Sequence, residues 1–150
     1  MSMRRSRSRA ALAAVCGGMF IATVGTIQAQ ADDGVPGGRA PHASPETDED
    51  VMAATYFGLK ESSKRAGRTN FLGLAEIEKA ETRTVAGTMY YIQVKAGESS
   101  CKVAEEANWT PEGCGATDPA NAKSCTMRVV HRAWQTAAPY ELMGGTCKEL

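Results

Sequence analysis

The sequence predicts an α+β domain in which one helix is followed by an antiparallel sheet built from hairpins. Three observations carry this. The stretch from Val51 to Arg65 has acids before it and bases at its end, β-branched and aromatic runs with a turn glycine follow it, and four cysteines crowd the C-terminal third. The 150 residues hold 17 basic and 17 acidic side chains and 43% hydrophobic types, which suits one globular domain and excludes a wholly disordered chain, a collagen and a polytopic membrane protein.

The cancelling charges conceal a segregated N-terminus. Arg4, Arg5, Arg7 and Arg9 stand without an acid, Ala10 to Ile27 carry no charge, and Ala29-Gln30-Ala31 follows. A basic head, an apolar middle and small residues two positions apart predict a secretory signal peptide over residues 1–31, cut after Ala31. The competing reading is a membrane anchor, but the run is soft with Gly17, Gly18 and Gly25, where a span uses about 20 firmly apolar residues. Cys16 would leave with the signal. The secreted, extracellular chain then starts at Asp32, with 17 acids against 13 bases and a net charge of about −4. No basic cluster is visible along it, which argues against nucleic acid as a partner.

Residues 32–50 contain Pro36, Pro41, Pro45 and several glycines and acids without periodicity, and are expected to form a flexible arm outside any core. Asp48, Glu49 and Asp50 then precede a helix predicted over Val51 to Arg65, whose Lys60, Lys64 and Arg65 complement the dipole at its end; Gly67 is the expected stop. Gly58 inside costs about 1 kcal/mol against Ala, so packing must hold this helix. Leu72, Leu74, Ile77 and Val85 mark a first strand and Thr88 to Lys95 a second, with Gly87 between them where a tight hairpin needs positive φ. Gly97 to Ser124 reads as a long loop, Cys125 to Arg132 as a third strand with Trp134 at its end, and Pro139 to Cys147 as a fourth.

Cys101, Cys114, Cys125 and Cys147 form an even set in a secreted chain, hence two disulfides, with three pairings open. A zinc site would want close cysteine pairs with histidine nearby, and neither His42 nor His131 sits at ligand spacing, so no metal or other cofactor is expected. The chain also lacks a nucleophile motif, a phosphate loop and a catalytic histidine in recognisable context, so it is not expected to be an enzyme. What remains are three separated features suited to contact: Val35-Pro36-Gly37-Gly38 in the arm, the Val85-Ala86-Gly87 tip and Trp134.

These features, in this order with a helix between the first two, resemble the cystatin family in its secreted, two-disulfide (type 2) form, across essentially the whole mature chain. Gly37-Gly38 matches the arm glycine, Arg83-Thr84-Val85-Ala86-Gly87 the family's Gln-x-Val-x-Gly loop, and Ala133-Trp134 its Pro-Trp hairpin. The resemblance implies a cystatin-like domain over residues 51–150 with one long helix wrapped by a twisted four- to five-stranded antiparallel sheet. It implies pairing of Cys101 with Cys114 and of Cys125 with Cys147. It also implies a reversible, tight-binding, non-covalent inhibitor of papain-like, cathepsin-type cysteine proteases, with the three segments entering the cleft as a wedge. The alternative is a secreted cystatin-fold protein that has lost inhibition and acts as a binding module, a reading supported by Arg83 in place of glutamine and Ala133 in place of proline. The expected state is a monomer, with hairpin exchange between copies as the route to a dimer. Asn108-Trp109-Thr110 is a glycosylation acceptor pattern whose bulky middle residue and following Pro111 disfavour occupancy.

Overall fold

The computed structural model describes residues 38–148, all within the unit Asp33–Leu150; the expected signal peptide and Val35, Pro36 and Gly37 lie outside the described residues. Strand β1 (Ala40–Pro41), helix α1 (Glu49–Arg65) and strands β2 (Asn70–Val85), β3 (Gly87–Lys102), β4 (Lys123–His131) and β5 (Tyr140–Cys147) follow one another along the chain. The strands form one five-stranded sheet in the order β1-β2-β3-β4-β5, every neighbouring pair antiparallel. The α+β expectation of one long helix on an antiparallel sheet holds.

Asp48 starts α1 by accepting from the backbone N–H groups of Asp50 at 3.0 Å and Val51 at 3.1 Å, which satisfies two donors that a bare helix end would leave orphaned. Val51, Ala54, Thr55, Gly58, Leu59 and Ser63 are its buried residues, the three- and four-residue spacing of a single apolar stripe. The helix ends at Ala66 and Gly67, whose φ of +64° takes the chain out of helical conformation. Gly58 has its reason here. A Cβ at that position would lie 2.3 Å from Met127 Sδ and 3.1 Å from Val129 Cγ2, so its missing side chain lets the helix backbone settle onto β4. Packing against Leu72, Tyr90, Ile92, Val94, Met127 and Leu142 offsets the propensity penalty.

Two expectations need correction. The arm was expected to stay outside the fold up to Asp50, yet from Ala40 it pairs with β2, Ala40 opposite Thr82 and Pro41 opposite Glu81. His42 donates its backbone N–H to Ala80 O at 3.0 Å, Pro45 is buried, and α1 begins at Glu49. Proline is tolerated in so short an edge strand because the bonds come from its neighbour. The second correction concerns Gly97 to Ser124. Its first six residues continue β3 to Lys102, and 3-10 turns occupy Val103–Asn108 and Pro119–Asn121. Polar residues survive inside the strand because they are satisfied: buried Ser99 donates to Phe71 O at 2.8 Å and accepts from Cys101 N at 3.2 Å.

The disulfides join Cys101 to Cys114 and Cys125 to Cys147, as the resemblance implies. The first ties the post-β3 loop to the strand it leaves; the second links directly opposed residues of β4 and β5.

Ser63 joins the helix to the sheet. Its hydroxyl donates to Leu59 O at 2.7 Å and accepts the backbone N–H of Leu72 at 2.8 Å, all of it buried. Ser63→Ala removes the acceptor and leaves the Leu72 N–H unpaired, so it should cost about 1–3 kcal/mol. Urea unfolding should show a lower midpoint at unchanged slope; an unshifted midpoint would contradict this role.

Candidate functional site: one end of the sheet

The register brings Gly38, the last residue of the arm segment, to the same end of the sheet as the Val85-Ala86-Gly87 tip and the Trp134 hairpin. Because β1 runs antiparallel to β2, the residues before Ala40, namely Arg39 and then Gly38, lead along β2 toward Arg83 and Thr84. Arg39 fixes this exit: its guanidinium lies 3.7 Å from the centroid of the Tyr91 ring and 3.7 Å from Glu81 Oε2. Next in the sheet comes the β2–β3 turn. Thr84 opposes Thr88 and Val85 opposes Gly87, leaving Ala86 at the apex. Arg83, Thr84, Val85 and Ala86 are all exposed, and Arg83 forms no ion pair with the described residues.

The third segment is the β4–β5 hairpin. Thr88 of β3 is opposite His131 of β4, so the start of one hairpin adjoins the base of the other. Gly87 has a φ of +107°, and a Cβ there would lie 2.3 Å from the His131 carbonyl oxygen and 3.2 Å from Arg132 Cγ. Only a residue without a side chain lets the two turns approach this closely. Several contacts hold the base of the second hairpin. The His131 and Tyr140 rings stack at 4.5 Å, Phe57 of α1 meets Tyr140 at 5.5 Å, and Arg132 Nη1 donates to Glu141 Oε2 at 2.6 Å. Burial raises the Tyr140 hydroxyl pKa, with Asp50 adding to the effect. Arg132 N–H donates to Pro139 O at 2.7 Å and Gln135 N–H to Arg132 O at 2.9 Å, closing the turn. Ala133 and Trp134 stand out from it, the indole residue 63% exposed and Val85 at the neighbouring tip 39% exposed.

Exposed apolar area at a sheet end is suited to covering another protein's surface. It offers no chemistry of its own. Among the described residues, no group of three or more His, Cys, Asp or Glu is placed to hold a metal, and no helix is long and apolar enough to cross a membrane. Sequence reading missed Arg39, His131, Arg132, Tyr140 and Glu141, the residues that position the segments. Their signal lies in cross-strand pairing, which a linear pattern does not display.

A cystatin-domain profile matches residues 40–134. Salivary cystatin-L2 of Ixodes scapularis is 32% identical over 99 residues, covering 66% of this chain and 73% of the relative. Cystatin-2 of Ornithodoros moubata is 27% identical over 120 residues, covering 78% and 85%. The fold matches the crystal structure of a salivary cystatin from the soft tick Ornithodoros moubata with a TM-score of 0.65 at 22% identity, over 77% of this chain and all of that one. It also matches dimeric human cystatin F at 0.60 and 18% identity, over 82% and 95%. The chain belongs to the cystatin family, whose members are protease inhibitors and not enzymes. Membership gives it, in general terms, the role of a cysteine-protease inhibitor, and its two disulfides fit the type 2 form.

Gly87→Ala tests the junction of the turns. A side chain at this positive φ costs about 1–2 kcal/mol before any clash with His131, so the variant should melt below the parent and inhibit papain less well. A variant equal to the parent in both assays would mean that the close approach is dispensable.

Proposed function

We propose that this chain is a secreted, reversible, tight-binding, non-covalent inhibitor of papain-like, cathepsin-type cysteine proteases that occludes the active-site cleft as a wedge. The observation that carries the reading is the approach of Gly87 to the His131 carbonyl, which makes the Val85-Ala86-Gly87 tip and the Trp134 hairpin one continuous edge. The arm supplies the third contact. Val35 and Pro36 fill the non-primed subsites, and Gly37 and Gly38 let the chain turn away before a peptide bond reaches the catalytic thiolate. Val85, Ala86 and Gly87 cover the entrance with small side chains and backbone. Trp134 lies over the primed side, giving the large rigid apolar area that dominates many interfaces.

Arg83 sets a cation beside the tip, and the wedge reading treats it as selecting among proteases by the charge of their cleft margins. Ala133 leaves the second turn less restricted than proline would. The second reading, a cystatin-fold binding module without inhibition, draws on these same two residues. Titration of oxidised Asp32–Leu150 against papain separates them. Nanomolar inhibition corresponds to about −12 kcal/mol and supports the wedge; no inhibition at micromolar concentration supports the module.

Trp134→Ala should weaken papain inhibition by more than about 2 kcal/mol, some 30-fold in Ki, with little change in melting temperature because the indole is exposed. Inhibition equal to the parent would remove the primed-side contact. Ala133→Pro should act in the opposite direction. The Ala133 N–H makes no backbone hydrogen bond among the described residues. Stiffening the turn should then gain about 0.4–1 kcal/mol, a two- to five-fold lower Ki.

A further inference from the structure

The face of the sheet turned away from α1 carries a groove of about 440 Å³ that the wedge does not use. Cations scattered along the sequence meet there. Glu81, Tyr91, Arg128 and Gly144 are successive cross-strand partners, and Lys79, Gln93, Thr126 and Thr146 form the adjoining row. Arg39 arches over Tyr91 and shares Glu81 with Lys79, whose Nζ lies 3.0 Å from that carboxylate. Arg128 has no carboxylate partner among the described residues. Gly144 opposite it has no side chain to fill the floor, and a Cβ there would come within 3.2 Å of Arg128 Nη2. Arg39 and Lys79 thus share one carboxylate and Arg128 has none, on a chain whose residues 32–150 are net negative.

The groove continues. A second hollow shares Gln93, Thr126 and Thr146 with the first and reaches Lys148, whose backbone N–H donates to Ser124 O at 3.0 Å. Ser124 and Arg128 are four residues apart on β4, so the track from the Arg39–Arg128 end to the Lys148 end runs roughly 13 Å along the strand. Between the ends Glu78 Oε2 accepts from Gln93 Nε2 at 3.0 Å and from Ser124 Oγ at 2.8 Å, and the Thr126 and Thr146 hydroxyls bond each other at 3.1 Å. Arg39, Lys79, Arg128 and Lys148 still outnumber the carboxylates of Glu81 and Glu78, which fits an elongated anionic ligand that also carries hydroxyls.

We propose that this outer groove binds a linear sulfated polysaccharide, with Arg39, Lys79 and Arg128 engaging sulfates at one end, Lys148 at the other, and Gln93, Thr126 and Thr146 contacting sugar hydroxyls. Two competing polyanions fit less well. The Tyr91 ring is covered by Arg39 and offers no open platform for stacking a base, which single-stranded nucleic acid uses. The free backbone edges lie at the outer side of β5 and along β2 beyond its short pairing with β1, not on the groove floor, so an acidic peptide laid in the groove has no main-chain partner to extend. Sulfates need only fixed cations, and counterion release makes such binding salt-dependent.

The test applies the oxidised, full secreted chain to immobilised heparin and titrates it with heparin oligosaccharide at 20 and 150 mM NaCl. Polyglutamate and a single-stranded oligonucleotide are titrated in parallel. The comparison variant is Lys79→Gln with Arg128→Gln, two exposed positions away from the wedge, so its melting temperature and papain inhibition should match the parent. The expected result is salt-sensitive heparin binding by the parent, at least ten-fold tighter than either competitor, and at least ten-fold weaker binding by the double variant with a shallower salt dependence. No heparin binding at 20 mM NaCl overturns the proposal, as does a double variant within three-fold of the parent. Polyglutamate or the oligonucleotide binding as tightly as heparin overturns the polysaccharide assignment.

Discussion

The molecule depends on how near α1 can come to the sheet. At Gly58 there is no room for a methyl group between the helix backbone and Met127 and Val129. Along the sheet, β2 carries register shifts between Asn70 and Leu72, Leu74 and Glu76, and Ile77 and Lys79, the irregularities at which a strand bends. The elements also differ in length. A 17-residue helix is about 25 Å long, whereas a 16-residue strand reaches about 50 Å. The β2–β3 hairpin therefore overruns the helix, and the residues that overrun it are those at the tip. Burial supports one part of the hairpin so that the other can stand in solvent.

Much of this was legible in the sequence. Charge order and spacing marked α1 to within two residues of its start, Gly67 marked its end, and Gly87 marked the first turn, because each of these is decided by neighbours along the chain. What was not legible depends on residues far apart. Pro41 and the acids around it have the composition of a linker, and only the presence of Glu81 and Thr82 alongside turns Ala40–Pro41 into a strand. Gly97 to Lys102 is polar by composition, and becomes strand because Phe71 O accepts from the Ser99 hydroxyl 28 positions away. The disulfide pairing came from family resemblance and not from counting cysteines.

The segments proposed for contact divide in the same way. Glycines and a tryptophan are conspicuous in a linear reading, so the two turns were legible as structure, while their contact role stays a proposal. The residues that aim them were not. His131 and Tyr140 are nine positions apart and become neighbours only through the β4–β5 register, and the ion pair of Arg132 with Glu141 follows from that same pairing. The outer groove is a further case: Lys79, Tyr91 and Arg128 share a face because strands alternate, while α1 has claimed the opposite one.

Both disulfides lie at or beyond Cys101. Nothing covalent except the main chain itself links α1 and β2 to the rest of the described molecule. A single nick at the exposed Ala86 apex would produce two polypeptides held together by packing and sheet hydrogen bonds alone, free to part once either loosens. Under the proposed wedge reading that apex meets proteolytic enzymes with no second tether, and the protein's endurance rests on that one peptide segment never lying in a cleavable pose.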